Sequence, residues 1–152
     1  MAALKLILRI ALGLIFCYAA YTKLRQPWLV FAMSIDAYRM LPPWAVFTVA
    51  RTLPWTELVI GILLISGRFL KYAAPAASVL LVVFYAAMIR AYAAGGGIDC
   101  GCFGVGEAVS PGTLVRDGVL LSCALALSLL EYRPLRLRAS QPISAPGVPL
   151  TR

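Results

Sequence analysis

The sequence predicts an all-α integral membrane protein: a bundle of four transmembrane helices with an interfacial amphipathic or re-entrant segment between the first two. Of its 152 residues, 62% are hydrophobic and only 13% are charged, whereas a soluble domain usually carries about 25% charged residues. The apolar residues are gathered into runs of about the 20 residues that a helix needs to cross a bilayer. The formal net charge of +8 does not indicate nucleic-acid binding, because the basic residues flank these runs instead of forming a patch.

Four segments have the length and composition of membrane helices. They are residues 4–24, 52–71, 72–94 and 111–132, within a membrane domain that spans residues 1–132. A signal peptide is the alternative for the first segment, but its apolar stretch is too long and no small-residue cleavage site ends it. The tail, residues 133–152, is basic and then rich in Pro, Ser and Ala, so it is predicted to be a disordered cytoplasmic extension.

The segment between the first two spans carries charges and is not itself a span. Trp28, Phe31 and Ile35 recur at helical spacing, which predicts an amphipathic helix lying at the interface. Pro54 then leaves two interpretations: a long helix kinked at this proline, or a helix that begins near Thr52 with Pro54 in its first turn. The second is preferred, with the preceding residues as a shallow re-entrant piece.

The distribution of charge predicts the orientation in the bacterial inner (plasma) membrane. One set of helix ends is strongly basic, and these ends should face the cytoplasm, together with both termini. The other set is nearly balanced and carries the tryptophans. The basic set consists of Lys5, Arg9, Arg68, Lys71, Arg133, Arg136, Arg138 and Arg152, opposed only by Glu131.

The glycine-rich loop before the last span contains Cys100 and Cys102 separated by Gly101. Two steps along a chain span at most about 7 Å, and a disulfide needs Cα atoms roughly 4.4–6.8 Å apart, so the pair can close if the backbone folds sharply. So small a ring favours an oxidising, labile disulfide and adds little stability. The predicted orientation places the loop outside the cytoplasm, where disulfides form. One Cu(I) site, or two unpaired thiols, is the alternative.

Several other residues are candidates for chemistry. Asp99 is positioned in sequence to accept a proton from the cysteine pair. Glu57 and Arg51 are ionisable residues in an apolar segment, where such groups are usually functional or paired. Glu57 either shuttles a proton for the cysteines or forms a structural ion pair with Arg51, Lys23 or Arg90.

Two further cysteines, Cys17 and Cys123, lie inside spans. They are either a second redox pair or ordinary small apolar residues, and the second reading is preferred. With no histidine in the chain, imidazole bases and Cys/His zinc sites are excluded.

The cysteine loop also carries a family resemblance. The sequence from Asp99 to Gly104, DCGCFG, resembles the MauE branch of the DoxX/MauE redox-associated membrane proteins, as do residues 21–24 and 54–58 more weakly. The resemblance implies thiol–disulfide chemistry outside the membrane with a thioredoxin-like partner or a disulfide-containing client, and a link to a quinone. On this reading Tyr21, Arg51, Trp55 and Phe103 would contact the quinone, although the aromatic side chains also fit a plain interfacial belt.

The leading hypothesis is therefore a membrane thiol–disulfide oxidoreductase that uses a redox-active Cys100–Cys102 disulfide. The alternatives are a Cu(I)-binding membrane protein and a structural subunit of a membrane redox complex. If electrons pass to a quinone, the loop should fold back on the bundle, with the cysteines above a pocket near Glu57 and Phe103 inserted between helices.

Overall fold

The protein is a helical bundle in the part of the chain that the computed structural model describes, residues 2–95 and 108–139, with side chains described for residues 3–95 and 108–132. Four of its helices are long and apolar enough to cross a membrane, which confirms the predicted four-helix membrane bundle. The helices are α1 (Ala2–Arg25), α2 (Trp28–Ala37), α3 (Pro43–Ser66), α4 (Leu70–Ala93) and α5 (Pro111–Ala139).

The bundle is built from two closely packed helix pairs, α1 with α3 and α4 with α5, which meet around one apolar core. Small residues on α4 let the larger side chains of the other helices approach it, as is common between membrane helices. The buried members of this core are Leu12 and Phe16 from α1, Ile60 and Leu64 from α3, Ala73, Ala74 and Ala77 from α4, and Ala124 and Leu127 from α5.

The closest approach in the bundle is between the backbones of α1 and α3. A β-carbon added at Gly61 would lie 2.7 Å from Cys17 Sγ and 2.9 Å from the carbonyl oxygen of Gly13. One added at Gly13 would lie 2.9 Å from the carbonyl oxygen of Gly61. The two glycines therefore face each other, and their lack of side chains sets the distance between these helices.

Side chains join the helices at one end of the bundle. Lys5 Nζ lies 3.1 Å from Glu131 Oε1, and the Tyr132 hydroxyl donates to the carbonyl oxygen of Lys71 at 3.3 Å. The opposite end holds the end of α1, all of α2, the start of α3, the end of α4 and the start of α5. We call this the α2 end; the cysteine loop leaves and re-enters the bundle there.

The predicted helix between the first two spans is present as α2, and it packs on the first half of α3. Phe31 and Ala32 are buried against Val46, Ala50 and Leu53. Trp28, at the start of α2, remains 42% exposed and meets the ring of Phe47 edge-on with centroids 5.9 Å apart. One face of α2 is thus part of the protein interior and the other is open.

The second membrane helix corrects the preferred interpretation of Pro54. It begins at Pro43 instead of near Thr52, and the residues before Thr52 form its first turns, not a re-entrant piece. Pro54 lies within the helix and is buried, and a membrane helix tolerates an internal proline when neighbouring groups satisfy the freed carbonyl. The helix begins at Pro43, directly after Pro42, because proline suits the first helical position.

The last helix also runs further than predicted. The sequence predicts its end at Tyr132 with a disordered tail from residue 133, but α5 continues to Ala139. Proline suits the first turn of a helix and interrupts later ones, yet Pro134 does not end this helix. Residues 140–152 lie outside the described part of the chain.

We predict that replacing Gly61 with valine weakens the packing of α1 on α3. The added atoms would overlap Cys17 and the Gly13 backbone, and overpacking of this kind costs about 1–3 kcal/mol. The measurement is the apparent Tm of the purified protein in detergent. Gly112→Ala is the control, because a β-carbon there meets only Ser110 Oγ at 3.7 Å. Equal Tm values for the two variants would contradict the close approach.

Candidate functional site

A buried ion pair joins α1 to α3 near the α2 end. Lys23 Nζ lies 2.7 Å from Glu57 Oε1 and 2.8 Å from Oε2. The two residues are only 3% and 4% exposed. Lys23 belongs to the last turn of α1, where a cation is also favoured by the helix dipole.

Two aromatic rings complete the surroundings of the ammonium group. Lys23 Nζ lies 5.5 Å from the ring centroid of Phe31 on α2 and 5.8 Å from that of Phe84 on α4. The face of an aromatic ring attracts a cation, more strongly where water is excluded. Lys23 is therefore held by groups from three helices, and the bidentate carboxylate and the rings offset part of the cost of burying its charge.

A small cavity lies beside Glu57, with a second buried carboxylate on its wall. Its volume is about 40 Å³, and its lining includes Glu57, Tyr85 and Asp117 among apolar side chains. Asp117 is 5% exposed and accepts a hydrogen bond from Arg116 Nε at 3.0 Å. Because a water molecule needs roughly 10–15 Å³ of such space, the cavity has room for a few waters.

This arrangement is suited to proton transfer. Carboxylates from α3 and α5 and a phenol from α4 line one water-sized space, and each of these groups can bind or release a proton. In a membrane interior, ionisable groups of this kind usually mark a proton or substrate pathway.

The cysteine loop returns to the bundle through a tightly held turn at the α2 end. The Ser110 N–H donates to Thr113 Oγ1 at 2.9 Å, and the Thr113 N–H donates to Ser110 Oγ at 3.3 Å. Val109 is buried against Met88 and Ala91 of α4. These hydrogen bonds and contacts fix the start of α5, and Asp117 lies about 9 Å further along the helix at 1.5 Å per residue.

The structure places the predicted site residues in several different environments. Glu57 pairs with Lys23, one of its three expected partners, while the Arg51 guanidinium lies 4.7 Å from the ring centroid of Trp28. Tyr21 and Trp55 are 54% and 59% exposed. Cys100, Cys102, Asp99 and Phe103, with the expected docking of the loop, lie outside the described residues.

The two cysteines within the spans are free thiols. Cys17 packs against Gly61, and Cys123 borders the apolar core on α5. Both occupy positions typical of small apolar residues, in agreement with the preferred interpretation.

Sequence reasoning gave too little weight to Lys23, Tyr85 and Asp117. Lys23 counts in sequence as one of several basic residues at a helix end, and Asp117 as a residue favoured by the start of α5. A signal was present, because the Gly13–Gly61 contact between antiparallel α1 and α3 brings the last turn of α1 to the first half of α3, from where the long side chain of Lys23 reaches Glu57. That contact is a property of the packing, so the sequence alone does not supply it.

The fold and the site define a multi-pass membrane protein with a buried ion pair and a cysteine-bearing loop at the same end of the bundle. The family model described as "Methylamine utilisation protein MauE" matches residues 1–130. The chain therefore belongs to the MauE family. It is 38% identical over 124 residues to the methylamine utilization protein MauE of Paracoccus denitrificans, a match that covers 80% of this chain and 66% of that protein. No solved structure matches the chain.

We predict that Lys23→Met and Glu57→Gln each destabilise the protein strongly, because each leaves a buried group without its partner. Breaking such a pair costs roughly 3–5 kcal/mol, whereas replacing both partners with apolar residues is often nearly neutral. The double variant Lys23→Met/Glu57→Leu should therefore recover much of the lost Tm.

The matched control is the more exposed pair Lys5–Glu131, where Lys5→Met should cost about 1 kcal/mol or less. If the two single variants at Lys23 and Glu57 are no less stable than Lys5→Met, the pair does not hold α1 to α3.

Proposed function

We propose that this protein is a membrane thiol–disulfide oxidoreductase that serves a methylamine-utilisation system. Cys100 and Cys102 would exchange a disulfide with a periplasmic thioredoxin-like protein or a cysteine-rich client. The observation that carries the proposal is the MauE family membership of a chain with a Cys-Gly-Cys sequence in the loop between α4 and α5.

The exchange proceeds through a mixed disulfide. A thiolate of the reduced loop attacks the client disulfide, forms a bond to one client sulfur and releases the other as a thiolate. The second loop cysteine, after losing its proton, attacks the loop sulfur of the mixed disulfide. The loop is then oxidised to the disulfide, and the client has gained two electrons and two protons. The same steps in reverse oxidise a client dithiol.

The buried site near the loop anchor gives protons a place when the loop is oxidised or reduced by a group other than a client thiol or disulfide. Within the proposal, Glu57 accepts or supplies protons for the loop through the cavity that it shares with Asp117 and Tyr85. Lys23 keeps Glu57 oriented and compensates its charge when the carboxyl group is ionised.

A link to a membrane quinone remains a prediction, and no step is assigned to it. Tyr21, Arg51 and Trp55 are absent from the linings of the three cavities that contain Glu57, Leu53 and Arg39, and the Arg51 guanidinium lies against the ring of Trp28.

We predict that either Cys102→Ser or Cys100→Ser traps a mixed disulfide with an exported protein. The substitution that removes the resolving cysteine leaves the attacking cysteine bonded to its client. Non-reducing gels of membranes from cells grown on methylamine, with mass spectrometry of the shifted band, make the measurement. The double variant Cys100→Ser/Cys102→Ser is the control and should trap nothing.

Two results would count against the oxidoreductase. If the double variant still supports growth on methylamine, the protein acts as a structural subunit. If anaerobically purified wild-type protein carries stoichiometric copper that the double variant lacks, it binds Cu(I) instead.

A separate prediction concerns the orientation of the protein: the loop faces the periplasm and both termini face the cytoplasm. After mild reduction of intact cells, a membrane-impermeant maleimide should label the wild-type protein. It should not label the Cys100→Ser/Cys102→Ser variant, whose remaining thiols lie within the spans. Labelling of wild type only after the cells are lysed would reverse the orientation.

A further inference from the structure

An apolar groove separate from the ion-pair cavity opens between α2, α3 and α4 at the α2 end. Its volume is about 430 Å³, within the range of ligand-binding pockets. Its walls are almost entirely apolar. The lining residues that matter most are Phe31 and Ile35 from α2, Leu53 from α3, and Leu80, Val83 and Ala87 from α4.

The groove adjoins a second cavity that carries positive charge. This cavity, of about 360 Å³, shares Tyr38, Met40 and Ala87 with the groove and is lined by Arg39 and Arg90. Both arginines are exposed, and neither forms an ion pair within the described residues. Arg39 adopts a left-handed backbone conformation (φ 47°), held by its N–H bond to the Asp36 carbonyl oxygen at 2.8 Å.

The length and depth of the combined site match one leaflet of a bilayer. From Leu80 to Arg90 is ten residues along α4, about 15 Å at 1.5 Å per residue. Leu80 lies near the middle of the span Leu70–Ala93, and Arg90 lies near its end. Half of a typical hydrocarbon core is also about 15 Å thick. The apolar groove therefore runs from mid-membrane to the interface, and the arginines lie at headgroup depth.

We propose that this site binds one anionic glycerophospholipid of the leaflet at the α2 end. An acyl chain lies along α4 in the groove, and Arg39 and Arg90 hold the phosphate, because a guanidinium binds phosphate with paired, charge-assisted hydrogen bonds. The positive charge of the two arginines favours this lipid over a neutral quinone, which would fill the groove but leave both guanidinium groups without an anionic partner. Phe31 and Phe84 line the groove, and their rings also face Lys23, so the bound chain packs on the residues that enclose the ion pair.

The test is native mass spectrometry of the full chain in mild detergent, titrated with phosphatidylglycerol or with phosphatidylcholine of the same acyl chains. Wild type should retain one phosphatidylglycerol in clear preference to phosphatidylcholine. Arg39→Gln/Arg90→Gln should weaken phosphatidylglycerol binding by about tenfold or more, as expected for lost charge-assisted bonds. Arg68→Gln, at the opposite end, is the matched control and should bind as wild type.

A second pair of variants tests the groove itself. Ala87→Phe places a ring where the groove and the charged cavity meet and should block the lipid. Ala86→Phe, its exposed neighbour outside both linings, should not. If Ala87→Phe does not fold, as judged by its Tm, the arginine variants still decide the question.

Three results would overturn the proposal. Equal retention of the two lipids by the wild-type protein would show that the arginines do not select an anionic headgroup. Equal stabilisation by inorganic phosphate and by phosphatidylglycerol, unaffected by Ala87→Phe, would show a phosphate site that does not use the groove. Displacement of phosphatidylglycerol by an equimolar isoprenoid quinone would make the groove a quinone site instead.

Discussion

The burial of Lys23 against Glu57 constrains the rest of the bundle. An ammonium or a carboxylate alone in the interior of a membrane protein is strongly unfavourable, so α1 and α3 are compatible only in a register that brings the two together. Gly13 and Gly61 allow this register, because their backbones touch where any side chain would hold the helices apart. The glycines set the distance between the helices, and the ion pair sets their relative depth.

The ion pair also explains why the short helix α2 packs on the bundle. Lys23 lies in the last turn of α1, and Phe31 from α2 and Phe84 from α4 help to bury its charge. On the other side Glu57 borders the cavity shared with Asp117 and Tyr85. The pair therefore lies between the apolar groove on the side of α2 and the small cavity that Glu57 shares with Asp117 of α5.

The sequence predicted the helices of this fold better than it predicted how they pack against one another. Composition and run length identify four spans, and the spacing of Trp28, Phe31 and Ile35 identifies α2, because both signals are local. Pro54 was misjudged because the cost of a proline inside a helix depends on whether neighbouring groups compensate it, which local sequence does not reveal. Lys23 and Asp117 were undervalued for a similar reason: their importance comes from which helix they face. The chemistry assigned to Cys100 and Cys102 rests on the sequence and the family.

The proposed redox cycle places different demands on the loop and on the buried site. Exchange between the loop and a client conserves protons, since each thiol formed on one partner replaces a thiol lost on the other. It therefore needs only an accessible cysteine pair. Regenerating the loop with an acceptor or donor that is not a thiol or disulfide moves two protons as well as two electrons, and within the proposal Glu57 and Asp117 exchange those protons. The carboxylates of Glu57 and Asp117 line one small cavity, and Asp117 lies six residues after the start of α5. Within the proposed function, the ion pair keeps Glu57 at the cavity that it shares with Asp117 and Tyr85.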